Sequence, residues 1–131
     1  MRDVECFVVC GSAVCRLRRN TVSHTVAAFD VQADGTLRNK RPLVRLRGIP
    51  EGEDSGADGM AIDREERVYI TTVPGVQVFD KTGQYLGTIP VARRPTNLAF
   101  AGPDKRTLYI TAREGLYRVQ TLTRGPERLG K

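Results

Sequence analysis

The chain has 131 residues, with 21 Lys and Arg against 15 Asp and Glu, one His, no Trp and three Cys. This length and composition fit one small domain of an ordinary soluble protein. No apolar run approaches the ~20 residues of a membrane-spanning helix, which excludes the helical membrane proteins. The Met-Arg-Asp start predicts no signal peptide. We therefore expect a cytoplasmic protein with no membrane partner.

The net charge of +6 is unevenly distributed along the chain. Residues 51–63 contain five acidic side chains and no basic one, whereas both flanks are basic. A basic protein can indicate nucleic-acid binding. Here, however, the basic residues are scattered over strand-like segments and turns, so we expect no nucleic-acid partner. Within the acidic stretch, Glu51, Glu53 and Asp54 are predicted to form a solvated loop.

The three cysteines, Cys6, Cys10 and Cys15, contain no paired C-x-x-C spacing, and the single histidine, His24, lies nine residues beyond them. This is not a zinc-binding pattern. The apolar neighbours of the cysteines favour buried, reduced thiols. Since His24 precedes an alternating segment, we expect a surface histidine there.

Strand signals dominate the chain, and no window has the apolar periodicity of an amphipathic helix. Short runs of Val, Ile, Thr, Tyr and Phe alternate with Gly, Pro and Asp turn residues, such as Asp34-Gly35 and Pro74-Gly75. Taken in chain order, these runs predict strands near 6–10, 24–31, 41–47, 59–63, 67–72, 75–80, 84–90, 96–101, 107–112 and 115–120.

The second half of the chain repeats itself with a period near forty residues. Residues 58–62 match 96–100, residues 68–71 match 108–111, and residues 75–79 match 115–119. This period, with about four short strands per unit, is typical of β-propeller blades. We therefore predict an all-β fold, a partial β-propeller of about two and a half four-stranded blades. The full blade covers about 58–90, the nearly full one about 96–120 and the partial one about 24–47, with inner strands near 58–63 and 96–101.

Several motifs resemble the C-terminal part of the gluconolactonase/regucalcin (senescence marker protein) family. They include Asp58-Gly-Met-Ala-Ile-Asp63, Arg94-Pro-Thr-Asn-Leu-Ala-Phe100 and Arg106-Thr-Leu-Tyr-Ile-Thr111. The resemblance implies a six-bladed propeller that hydrolyses sugar lactones with one divalent metal, commonly Ca²⁺, with Zn²⁺ or Mn²⁺ as alternatives. It also implies two regions, an atypical N-terminal segment over 1–23 and an incomplete gluconolactonase-like propeller over 24–131.

Two residues are the candidate site. By the resemblance, Asp58 is both the metal ligand and the catalytic general base, which suits the preference of Ca²⁺ for carboxylate oxygens. Asn97 lies on the inner strand of the next blade and is the candidate substrate-binding residue. From the residues alone, each could instead be a turn or strand-entry residue, because Asp-Gly is a common turn pair. Asp63 and Asp80 are predicted to be structural, and Tyr69 and Tyr109 to be blade core.

Two functions follow as expectations. The first is a metal-dependent sugar-lactone hydrolase that lacks its N-terminal blades and acts on a small-molecule lactone. The alternative is a catalytically inactive propeller fragment or interaction module, because the family's other metal ligands have no counterpart in this sequence and metal binding could be lost with them. In either case the open blade faces could lead to self-association.

Overall fold

The computed structural model describes the backbone of residues 5–10 and 13–18, and both backbone and side chains of residues 24–127. These residues form strands and, within this part of the chain, no helix, so none that could cross a membrane. The strands are β1 (Glu5–Cys10), β2 (Ala13–Arg18), β3 (Thr25–Val31), β4 (Leu37–Arg45), β5 (Met60–Ile62), β6 (Val68–Thr72), β7 (Gly75–Phe79), β8 (Tyr85–Ile89), β9 (Asn97–Ala101), β10 (Thr107–Ala112) and β11 (Gly115–Gln120).

The strands form three antiparallel meanders, β1–β4, β5–β8 and β9–β11. The predicted all-β partial propeller is confirmed, with a four-stranded second sheet and a three-stranded third one. The first sheet is more complete than predicted, because β2 pairs with β3 and adds two strands to the partial blade. The special status assigned to residues 1–23 stays a prediction, and the burial of the three cysteines lies outside the described side chains.

The first strand of each sheet lies innermost. β5 contacts β1 on one side and β9 on the other. The predicted inner strands at 58–63 and 96–101 are therefore found as β5 and β9, shorter by one or two residues at their ends. This stacking brings the loops that precede β5 and β9 together at one end of the inner strands.

The second sheet is covered on both faces, which explains why every residue of β6 is buried. Burial of both faces of a sheet by its neighbours is the arrangement by which stacked repeats form a continuous core. One core, against the first sheet, contains Val26, Val44, Leu46, Ala57, Met60, Ile62, Val68, Ile70 and Phe79. The other, against the third sheet, contains Tyr69, Val76, Leu98, Leu108 and Ile110.

Aspartates close the tight turns at the ends of strands. The carboxylate of Asp80 accepts hydrogen bonds from the backbone N–H groups of Thr82 and Gln84 at 2.8 and 3.0 Å. The side-chain hydrogen bond from Thr82 and these backbone N–H groups lower the pKa of Asp80. Asp63 accepts in the same way from Glu65 and Arg67. Both residues are therefore structural, as predicted.

Two buried polar side chains hold the segment that leads from β4 to the loop before β5. The amide of Gln77 donates to the carbonyl of Arg47 at 2.7 Å and accepts from its N–H at 2.8 Å. The ring Nε2 of His24 lies 2.8 Å from the carbonyl oxygen of Glu53. The prediction of a surface histidine is wrong, because His24 is buried and tethers the acidic loop.

Candidate functional site

Asp58 lies directly before β5, at the point where the loop enters the inner strand. The next residue, Gly59, is fixed by β6. Its N–H donates to the hydroxyl of Thr71 at 2.8 Å, and its carbonyl accepts from the Thr71 N–H at 3.0 Å. Since its neighbour is held on both sides, the Asp58 backbone has a defined position, and its side chain is half-buried.

The loop before Asp58 is held by its own short side chains. Asp54 accepts a hydrogen bond from the N–H of Gly56 at 2.9 Å, and the Ser55 hydroxyl accepts from the N–H of Ala57 at 3.2 Å. Gly56 has φ +65°, a conformation that glycine adopts without strain. The acidic loop is exposed as predicted, but Asp54 also pairs with Arg94 in the loop before β9.

A concave cavity of about 450 Å³ opens where the loops before β5 and β9 meet the β10–β11 turn. It carries two carboxylates and two guanidinium groups. The residues that line it are Asp54, Gly56, Asp58, Arg94, Pro95, Thr96 and Arg113.

The charges in this cavity are only partly paired. The guanidinium Nη2 of Arg94 lies 3.3 Å from Oδ2 of Asp54. In contrast, neither the carboxylate of Asp58 nor the guanidinium of Arg113 forms an ion pair or side-chain hydrogen bond with any residue that the structure describes. The cavity therefore presents one unpaired carboxylate and one unpaired guanidinium, and beside them a second guanidinium, that of Arg94, which is paired with Asp54.

Asn97 does not line this cavity. It begins β9, its side chain is exposed, and its Oδ1 accepts the N–H of Leu98 at 2.8 Å. Its backbone packs against Gly59, so it lies beside the candidate site while its amide is used in the strand entry. Its role in binding substrate stays a prediction. In the forty-residue repeat, Thr96 rather than Asn97 corresponds to Asp58, and Thr96 does line the cavity.

The residues present do not fit a complete metal site. Among the described residues, no three His, Cys, Asp or Glu side chains are grouped so that they could hold a metal ion. Ca²⁺ takes six to eight oxygen ligands. Of the two carboxylates here, that of Asp54 already binds Arg94 and the Gly56 N–H.

Comparisons with known proteins point to one family. Residues 17–114 match the family described as the SMP-30/gluconolactonase/LRE-like region. Regucalcin of Oryctolagus cuniculus is 32% identical over 114 residues, a match that covers 82% of this chain and 36% of that protein. The chain thus spans about a third of the length of the curated relatives it matches.

Solved structures agree in fold. A gluconolactonase from Xanthomonas campestris superimposes with a TM-score of 0.69 and 25% identity, over 83% of this chain and 34% of that one. A regucalcin from Agrobacterium tumefaciens, a calcium-binding protein, gives a TM-score of 0.69 at 21% identity over 97% of this chain and 49% of that one. With most of its length matched to the family, the chain belongs to the SMP-30/gluconolactonase/LRE-like proteins.

Proposed function

We propose that this chain carries part of the active site of a lactone hydrolase, with Asp58 as the general base. The observation that carries the proposal is the half-buried carboxylate of Asp58, which faces a cavity without a partner among the described side chains. A carboxylate that is held in place and is not already neutralised by a cation can accept a proton from water. Family membership supplies the reaction class.

The reaction is addition of water to a cyclic ester. Asp58 takes a proton from a water molecule, and the resulting hydroxide attacks the carbonyl carbon of the lactone. The tetrahedral species then expels the ring oxygen, which receives the proton from Asp58, and a hydroxy acid is released. The carboxylate ends the cycle as it began, and the reaction consumes one water for each lactone.

The family's divalent metal would enter this cavity at Asp58, where it would polarise the lactone carbonyl. The described residues provide too few oxygen ligands for it, so no step above depends on the ion. A metal site at Asp58 would need ligands beyond those that residues 24–127 bring together.

The test is hydrolysis of glucono-δ-lactone by the 131-residue chain, followed as acid release, with and without added Ca²⁺, Mn²⁺ or Zn²⁺. Asp58→Ala is compared with Asp104→Ala, an aspartate in an exposed turn outside the cavity. We expect the wild type to hydrolyse the lactone faster than the uncatalysed reaction. Asp58→Ala should abolish this acceleration, and Asp104→Ala should retain it. Equal rates for the two variants would remove Asp58 from the mechanism.

A second candidate function, self-association through an open blade face, is favoured by the third sheet. In the repeat, Val76 of β7 corresponds to Leu116 of β11, and Tyr69 corresponds to Tyr109. The first of each pair packs against the third sheet. Val76 is fully buried there, whereas Leu116 is 68% exposed. The outer face of the third sheet is therefore the counterpart of a covered blade face, and we propose a second copy of the chain as its occupant.

Sedimentation at micromolar concentration tests this association. Leu116→Lys places a charge on the open face, whereas Leu122→Lys, at a residue 96% exposed beyond β11, is the matched control. We expect the wild type and Leu122→Lys to dimerise and Leu116→Lys to shift towards monomer. A monomeric wild type would contradict the proposal.

A further inference from the structure

Arg94 is held over the loop that leads to Asp58. Its guanidinium pairs with Asp54, and only 35% of its side chain is exposed. A methyl group on Gly56 would lie 2.8 Å from Nη2 and 2.9 Å from Nε of Arg94. The guanidinium therefore occupies space that any larger residue at position 56 would fill. This fixes a cation against the cavity wall at Gly56, which lies two residues before Asp58 in the chain.

Arg113 brings a second cation to the same cavity from a different blade element. It lies in the β10–β11 turn with φ +52°, a left-handed conformation that is uncommon for a residue other than glycine. The neighbouring charge, Glu114, is bound to Arg93 at 3.3 Å. Arg113 itself has no ion-pair partner within the described part of the chain, so its charge is available to the cavity.

The pattern of charges indicates the chemistry of the ligand. Asp58 and Arg113 line one cavity without forming an ion pair with each other. Guanidinium groups donate paired hydrogen bonds to carboxylate and phosphate oxygens, whereas a carboxylate accepts hydrogen bonds from hydroxyl groups. A ligand with an acidic group at one end and hydroxyl groups at the other satisfies both sides at once.

We propose that Arg94 and Arg113 form an oxyanion-binding wall that makes this site selective for acidic polyhydroxy compounds over neutral sugars. This inference rests on the proposed function for the identity of the reaction, but the wall itself stands on the two guanidinium groups. The same wall would accept a carboxylate or a phosphate, since both offer oxygens in the geometry that a guanidinium binds.

Binding measurements on the 131-residue chain test the wall without requiring catalysis. The probes are glucitol, a neutral polyol; gluconate, which carries a carboxylate; and glucitol 6-phosphate, which carries a phosphate. Titration calorimetry is performed on the wild type, Arg94→Gln, Arg113→Gln and Arg118→Gln. Arg118 lies on β11 outside the cavity, so its variant removes the same charge from the chain as a whole.

We expect at least one of the two anions to bind about tenfold or more tightly than glucitol, the size of effect expected of a charged hydrogen-bond pair. Arg94→Gln and Arg113→Gln should each lose most of this preference, and Arg118→Gln should keep it. Comparing gluconate with glucitol 6-phosphate then identifies which oxyanion is preferred. Circular dichroism checks that the variants fold; Arg113 is exposed, so its replacement disturbs no core packing.

Three results would overturn the wall: equal binding of all three probes, no saturable binding of either anion, or a preference that survives both arginine substitutions. These results are separable from failure of the lactonase assignment. Selective anion binding without lactone hydrolysis would reject the proposed function and keep the wall. Hydrolysis without any charge preference would reject the wall and keep the function.

Discussion

Gly59 and Asn97 meet at the contact between the two inner strands β5 and β9, with no space for a side chain on Gly59. A methyl group there would lie 2.5 Å from Cα and 2.5 Å from Oδ1 of Asn97, and 2.9 Å from the carbonyl oxygen of Thr96. Two of these three atoms belong to the backbone, which cannot rotate away. The close approach of the two blades therefore depends on glycine beside the candidate base Asp58.

Gly59→Ala should consequently destabilise the fold by ~2–3 kcal/mol, because the added methyl group overpacks a rigid backbone contact. Gly35→Ala shows what a left-handed backbone alone costs, whereas Gly59 has no positive φ and its cost comes from the contact. Gly35 has φ +82° but no atom within 4 Å of an added methyl group, so its substitution should cost ~1 kcal/mol. Denaturant unfolding of both variants measures the difference. Equal losses would mean that the blades can move apart to accept the methyl group.

Asp63 is the centre of a buried polar network at the end of β5. Its side chain is fully buried, and Oδ2 accepts from Nε of Arg67 at 2.7 Å and from the Tyr69 hydroxyl at 2.9 Å. Asp63→Asn replaces one accepting oxygen by a donor and removes the buried one of two carboxylates that pair with Arg67; the other, Glu65 at 2.9 Å, is more exposed. We expect a loss of ~2–4 kcal/mol in unfolding free energy.

Asp80→Asn is the matched control for this network, because Asp80 closes a similar turn on the exposed surface. Asp80→Asn should lower the unfolding free energy clearly less than Asp63→Asn does when both are measured by urea unfolding. A comparable loss would indicate that the turn, rather than the buried pair with Arg67, makes Asp63 important.

Tyr69 makes stability depend on pH in the alkaline range. Burial, assisted by the hydrogen bond to Asp63, raises the pKa of Tyr69 to about 12, whereas an unfolded tyrosine ionises near pH 10. The folded state therefore keeps its proton to higher pH than the unfolded chain does. Its contribution to stability is present below about pH 10 and declines as the pH rises towards 12.

Unfolding free energies between about pH 8 and 11 should therefore decrease for the wild type and decrease less for Tyr69→Phe, which has no proton to lose. The slope against pH, rather than the absolute stability, is the informative quantity, because Tyr69→Phe also removes a buried hydrogen bond. Parallel slopes for the two proteins would contradict a shifted pKa at Tyr69.

The strands and their repeat could be predicted because they depend on local signals. Alternating β-branched residues and Asp-Gly or Pro-Gly turns identify most strand positions directly. Two strands differ from the prediction. β2 contains Arg16 and Arg18 at alternate positions and was not predicted. β4 begins at Leu37 rather than 41, because the outer strand of a blade tolerates the exposed charges of residues 38–41.

Of the residues that line the cavity, the sequence analysis proposed only Asp58, which belongs to the Asp-Gly-Met motif. The structure places Asp58 in the cavity, and its catalytic role stays a prediction. Asp54, Arg94 and Arg113 were not proposed as site residues, because they become neighbours only through the stacking of blades. The period of the repeat indicates which of these residues become neighbours. Asp54 and Arg94 are forty residues apart and form an ion pair, since stacking places each blade's entry loop beside that of the next blade. Residues one period apart are thus the pairs to inspect in such a sequence.

Asp58 itself can be tested for its chemical role by two substitutions. Asp58→Ala removes the carboxylate, whereas Asp58→Asn keeps the shape and one oxygen ligand but cannot accept a proton. If Asp58 is the general base, both variants should lose ~10²–10⁴ in the rate of lactone hydrolysis. Folding should be retained in both, because the side chain is only half-buried and lies outside the two cores.

The difference between the two variants separates proton transfer from metal binding. A ligand role would let Asp58→Asn retain much of the activity, and more so with added Ca²⁺, because an amide oxygen still coordinates the ion. A base role predicts equally low rates for Asn and Ala at every Ca²⁺ concentration. We expect the second pattern, because the described residues surround Asp58 with too few further ligands for the ion. Near-wild-type activity in Asp58→Asn would refute the general-base assignment and leave coordination as the function of this carboxylate.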